Sequence, residues 1–239
     1  MNTTQPIAKD LTVAETVLAY SSCAPVFQRH KIDFCCKGNV SIEEAARDKA
    51  VDLTLLLAEL DDAIHHRSPS AVDPRKLSTP ALIAHLISKH HTYLRNALPF
   101  ILRLSDKVAR VHGEHEPRLL DLDVATRKIA AALLPHLDEE ETVLFPHLMT
   151  VNAIDPKVIA DELASMLDEH LEVGALLAEI RHLTDDFSPP EWACTSFRTL
   201  YSELTTLETD TLTHVHLENH ALMPRFAPSD AGASQTASH

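Results

Sequence analysis

The sequence predicts an all-α protein in which a small helical unit precedes an antiparallel four-helix bundle. Three observations carry that expectation. The 239 residues include only 4 glycines, which leaves little material for the tight turns of a hairpin-rich sheet. Ala, Leu and Glu, all good helix formers, are abundant, and 45% of the residues are hydrophobic, enough for a globular core. Four long segments also repeat apolar residues at helical spacing, with short joints between them.

The first section, about residues 8–67, reads as short helices. Thr12 caps a segment that runs through Glu15 and Leu18, and Ser41-Ile42-Glu43-Glu44 is a capping-box pattern opening a second. Leu53, Leu56, Leu57 and Leu60 supply an apolar face further on. Between these lies the loop Asp33-Phe34-Cys35-Cys36-Lys37-Gly38-Asn39, with a vicinal thiol pair. Residues 1–67 are therefore expected to form a small helical domain, and the turn residues from Ser68 to Pro74 a flexible linker over 68–78.

The bundle is expected over residues 79–227. Its first segment opens with the cap Ser78 and Pro80 in the first turn, then runs through Leu82, Leu86, Tyr93 and Leu94 to about Val111. The others run over about 119–148, 156–184 and 190–226. Gly113 and Pro117, Asn152 to Pro156, and Ser188-Pro189-Pro190 mark the joints. Pro99, Pro135 and Pro146 each remove a backbone donor and are expected to bend their segments. The small polar tail over 228–239 reads as disordered.

Charge and composition exclude several classes of function. Lys and Arg number 21 against 35 Asp and Glu, a net charge of −14 that repels nucleic acid and anionic membrane as main partners. No apolar run is long enough to span a bilayer, and Met1 to Glu15 lack the pattern of a secretory signal, so a cytoplasmic protein is expected. Cys23, Cys35, Cys36 and Cys194 have no framework spacing, which agrees with a reducing compartment.

The 16 histidines ask for metal or proton chemistry. His136 and Glu140 stand four apart in the second bundle segment, and His214 and Glu218 repeat that spacing in the fourth. Residues four apart lie one turn above each other, so each pair presents an imidazole and a carboxylate to one point. Both histidines are followed ten residues later by proline, at Pro146 and Pro224, which reads as an internal pseudo-repeat.

A single such pair is more often a surface ion pair, whereas two with a shared downstream pattern point to a metal site. The first segment then offers His90 or His91, between which periodicity does not choose, and the third offers His170. Imidazoles with bridging carboxylates inside a bundle suit iron, and no His-Glu-x-x-His pattern supports zinc-protease chemistry. His65, His66, His112, His115, His147, His182, His216, His220 and His239 are expected to be exposed or structural.

These motifs resemble a known family. "IDFCCKGN", "HLDEEETVLFPHL", "DEHLEVGALL", "SPPEWACTSFRTLY" and "HVHLENHALMPRF" make the bundle similar to hemerythrin-like domains, and the chain over about 10–226 similar to the iron-sulfur cluster repair proteins of bacterial nitrosative and oxidative stress. The resemblance implies two non-heme iron ions held by His91, His136, Glu140, His170, His214 and Glu218, with both glutamates bridging. It selects His91 by its distance from Leu98-Pro99, although the residue before the ligand is often aromatic in the family and here is His90.

Oxygen-carrying hemerythrins place a second histidine four residues after the third-helix ligand. Here Gly174 stands there, so one coordination place is expected to open. Nitric oxide or oxygen species are the implied small-molecule ligands, and damaged iron-sulfur proteins the implied clients. The alternative is a cytoplasmic nitric-oxide-binding buffer that accompanies denitrification. Whether the chain is a catalyst stays open at this point. Cys35 and Cys36 become accessory thiols, suited to docking, transfer, redox work or simple packing.

Overall fold

The computed structural model describes residues 7–65, 73–150 and 154–226, and the chain is all-α, with no strand among these residues. The N-terminal unit comprises α1 (Val13–Ala19), α2 (Ala24–Arg29), α3 (Ile42–Asp48) and α4 (Leu53–His65). Thr12 and Glu15 close a reciprocal capping box on α1. Ser41 Oγ accepts from Glu44 N–H at the start of α3, and Asp52 accepts from Thr54 N–H and Leu55 N–H at the start of α4. These helices enclose their own core around Val13, Phe27, Ile42, Leu56 and Leu60.

The bundle comprises α5 (Thr79–His85), α6 (Thr92–His112), α7 (Arg118–Glu139), α8 (Phe145–Met149), α9 (Pro156–Leu183) and α10 (Thr195–Leu217). Ser78 caps α5 and Asp155 caps α9, each with proline in the first turn. Contacts between opposite ends show that α7 runs antiparallel to α9 and α6 antiparallel to α10. Arg118 at the start of α7 meets Asp185 beyond the end of α9 at 2.9 Å, and Lys107 near the end of α6 meets Ser196 at the start of α10 at 3.1 Å. The shared core runs through Leu98, Ile101, Leu122, Ile129, Leu133, Phe197 and Leu204.

Three wide π-helical turns interrupt the bundle helices, over Leu86–His91, Glu140–Leu144 and Glu218–Leu222. The last two hand the Glu140 carbonyl to Phe145 N–H and the Glu218 carbonyl to Met223 N–H, immediately before prolines that have no donor. Pro146 and Pro224 thus stand just past an irregular turn, while Pro99 and Pro135 lie inside continuous helices. Each π turn begins or ends on one of the six candidate ligands: His91, Glu140 and Glu218.

The fourth bundle helix begins later than the sequence suggests. Residues 190–193 form a turn, closed by Ala193 N–H donating to the Pro190 carbonyl. The Arg198 guanidinium holds that turn by donating to the carbonyls of Pro190, Glu191 and Ala193, and this tertiary contact outweighs the helical signal of Pro190.

The thiols lie against the bundle, with Cys36 Sγ near the His170 carbonyl. Residues 66–72, which include the first part of the expected linker, and the tail from 227 lie outside the described residues. Beyond them Asp73 caps the 3-10 turn Pro74–Lys76, and Arg225 donates to the Pro74 carbonyl. The N-terminal unit itself packs on α10, with Val215 joining the core that contains Phe34 and Cys35. No described helix is long and apolar enough to cross a membrane.

Candidate metal centre

Helical spacing and the π turns bring all six sequence-selected residues to one buried point between α6, α7, α9 and α10. They form two overlapping clusters, His91-Glu140-His214-Glu218 and His136-Glu140-His170-Glu218, whose donor atoms lie within 4.8 Å of one another in each. Glu140 turns one oxygen to His91 Nε2 and the other to His136 Nε2, both at 3.4 Å. Glu218 does the same for His214 Nε2 at 2.9 Å and His170 Nε2 at 3.2 Å. Both carboxylates therefore belong to both clusters, one oxygen to each.

The donor set fits a pair of cations. All six residues are at least 95% buried, yet His136 Nε2, His170 Nε2, both oxygens of Glu140 and Glu218 Oε2 lack a hydrogen-bond partner. Buried polar atoms cost about 1–3 kcal/mol each when left unpaired, and five converging on one point are placed to receive a cation.

The electrostatics agree. Burial, then the charge of Glu218, pushes the Glu140 carboxyl well up. Glu218 is pulled down despite its burial, because His214 and His170 face it. Burial lowers His91, and drives His214 to about 4, so both rings keep a free lone pair near neutrality.

Three further residues, not singled out from sequence, orient the rings. Glu141 accepts from His91 Nδ1 at 2.9 Å, Glu169 from His136 Nδ1 at 2.6 Å, and Asn219 Oδ1 from His170 Nδ1 at 2.9 Å. Each hydrogen bond puts the proton on Nδ1 and turns Nε2 inward. Glu141 and Asn219 are the residues directly after the two shared glutamates, so the pseudo-repeat contained the signal. His90 is buried too, but its Nδ1 is tied to Asp210 at 2.9 Å and it belongs to neither cluster.

The cysteine loop lies against this centre. Phe34 O accepts from His216 Nδ1 at 2.9 Å, and Cys35 O accepts from Asn219 Nδ2 at 2.9 Å and His220 Nε2 at 2.8 Å. His216, fully buried and driven down to about 3 by desolvation, is thus structural. Cys36 Sγ approaches the His170 carbonyl at 3.8 Å. Cys35 is buried and Cys36 half-buried, with their sulfurs 3.5 Å apart.

Gly38 has no left-handed backbone angle. It permits a close approach, since a Cβ there would stand 2.6 Å from the Phe34 carbonyl oxygen. Gly174 lines a cavity beneath the cysteine loop, where a Cβ would meet nothing within 4 Å.

Comparison with known proteins places these features in a family. Residues 9–64 match the ScdA_N family, described as a domain of unknown function, and residues 82–226 match the hemerythrin HHE cation binding domain. The iron-sulfur cluster repair protein ScdA of Staphylococcus haemolyticus (strain JCSC1435) is 34% identical over 224 residues, spanning 92% of this chain and 100% of that protein. The iron-sulfur cluster repair protein YtfE of Yersinia pseudotuberculosis serotype IB (strain PB1/+) is 31% identical over 220 residues, spanning 91% of this chain and 96% of its own. With both domains in tandem and relatives matched along nearly the whole length, the chain belongs to the ScdA and YtfE family of iron-sulfur cluster repair proteins, built on a hemerythrin cation-binding domain.

Proposed function

We propose that His91, His136, His170 and His214 with Glu140 and Glu218 hold two iron ions, and that the protein helps restore damaged iron-sulfur clusters under nitrosative or oxidative stress. The observation that carries this reading is the sharing of both glutamates between the two histidine pairs, one oxygen to each cluster. The small helical domain and the bundle act in it as one docked unit, and the cysteine loop is among the contacts between them.

Bound iron would supply a redox-active Lewis acid for nitric oxide or oxygen species, or itself be the cargo passed to a client cluster. The chain's own residues prepare that centre. Glu141, Glu169 and Asn219 fix the ring orientations, so no reorganisation is needed when a cation enters. Phe145, stacked on His91 with ring centroids 5.7 Å apart, and buried Leu86 and Leu144 keep bulk water away. Desolvation keeps the His91 and His214 rings neutral, and the Nδ1 hydrogen bond of His91 leaves its Nε2 lone pair toward the cluster.

That both relatives are iron-sulfur cluster repair proteins favours repair over the buffering alternative. In cells exposed to nitric oxide, Glu140→Ala or His214→Ala should abolish recovery of a cluster-dependent enzyme. Normal recovery with either variant contradicts the reading. Restoration of a purified, damaged cluster protein by the iron-loaded chain separates repair from buffering, which would bind nitric oxide stoichiometrically and restore nothing.

A further inference from the structure

Between the N-terminal unit and α9 lies a cavity of about 560 Å³, within the range of small-molecule sites. Cys35 and Cys36 form part of one wall, and the small residues Gly174, Ala175 and Ala178 of α9 form part of the other. The acids that line it are already engaged. Glu208 takes Arg181 and Gln28, Asp186 takes Arg181 and Lys31, Asp185 takes Arg118, and Asp33 accepts the N–H groups of Cys35 and Cys36. The side chains of Lys37 and Lys49, also lining it and exposed, make no ion pair or hydrogen bond among the described residues. The acids and bases lining the cavity balance in number, and what sets it apart is that two of its lysines have no ion-pair partner while lining it together with a thiol pair.

We propose that the cavity binds a small carboxylate-bearing thiol and its disulfide, and that Cys35 and Cys36 exchange electrons with it. The proposal goes beyond the metal reading and does not depend on it. In the oxidising direction the Cys36 sulfur, the half-buried one, attacks one sulfur of the ligand disulfide and releases the first ligand thiol, which carries away the Cys36 proton. The Cys35 sulfur, 3.5 Å away, then attacks Cys36 Sγ and releases the second ligand thiol with the Cys35 proton. Two electrons pass from the pair to the ligand disulfide, one S–S bond breaks in the ligand and one forms in the protein.

A ring between adjacent cysteines is strained, so the reverse reaction with two ligand thiols is easy and the pair follows the poise of the thiol pool. Asn219 and His220 hold the Cys35 carbonyl, so ring closure moves the loop against the residue that orients His170.

The test uses full-length, iron-loaded protein treated with glutathione disulfide or with uncharged 2-hydroxyethyl disulfide, each rate normalised to a simple model thiol and followed by peptide mass mapping. Glutathione disulfide should oxidise the Cys35–Cys36 pair roughly five-fold faster than the neutral probe after normalisation, the size expected of two exposed charges. Lys37→Gln with Lys49→Gln should erase that preference. Ala175→Phe, which fills the cavity from an exposed helix position, should slow the glutathione reaction with iron content unchanged.

Cys35→Ser should trap one glutathione on Cys36. Should that variant fail to fold, the two surface lysine changes still decide the matter. Equal normalised rates, or adducts confined to the exposed Cys194, would overturn the proposal.

Discussion

Glu140 and Glu218 stand within 4.8 Å of each other, almost fully buried, and each is shared by both histidine pairs. Two carboxylates so placed do not both stay ionised without a cation, which is why one is pushed up while the other is pulled down. Glu140→Gln should therefore stabilise the iron-free protein by about 1–3 kcal/mol in urea unfolding while abolishing iron binding. The same experiment on wild-type protein should show a higher midpoint with iron than after chelation. A Glu140→Gln variant that keeps its iron would count against a bridging role.

Asn219 ties His170 to the Cys35 carbonyl, one amide atom to each. Asn219→Asp keeps the acceptor for His170 but loses the donor to Cys35. It should retain iron while the N-terminal unit becomes more sensitive to limited proteolysis. Asn219→Leu loses both contacts and should also weaken iron binding about 10- to 100-fold, the usual effect of removing an orienting partner. Competition with a calibrated chelator reads the affinity.

Gly38 is needed for packing. An added Cβ would lie 2.6 Å from the Phe34 carbonyl oxygen and 2.9 Å from Ala14 Cβ. Gly38→Ala should cost about 1–3 kcal/mol, as overpacking of tight sites does, and displace the cysteine loop. Faster alkylation of Cys35, together with a lower urea midpoint, is the expected observation.

Cys23 is fully buried in the N-terminal core, and burial, then the charge of Asp61, pushes its thiol up to about 12 from 9.0. Its folded value lies above its unfolded one, so its contribution to stability is complete below pH 9.0 and is lost progressively toward pH 12. The loss is at most about 1.4 kcal/mol per pH unit. Cys23→Ala should lower stability at neutral pH and flatten its decline above pH 9.0, read from urea melts at several pH values.

The fold and the two His–Glu pairs were legible because their signals are local, whereas His91 was separated from His90 only by the family resemblance. Paired His and Glu one turn apart, repeated with Pro146 and Pro224 downstream, need only helical periodicity to be read. Glu141, Glu169 and Asn219 were missed because each reaches across to a neighbouring helix, which periodicity within one segment does not reveal.

The docking of the cysteine loop was hidden for a related reason. It is made by the carbonyls of Phe34 and Cys35, groups every residue has, meeting side chains more than 180 positions away. The late start of α10 followed from Arg198 wrapping a turn, a tertiary contact that overrides local propensity.

The central claim is that the two shared carboxylates join two irons into one centre. The most direct measurement is iron content together with the Mössbauer spectrum of protein purified from iron-replete cells. The account predicts two irons per chain, magnetically coupled, with both signals lost in Glu140→Ala. A single uncoupled iron, or a well-folded chain that takes up none, would contradict it.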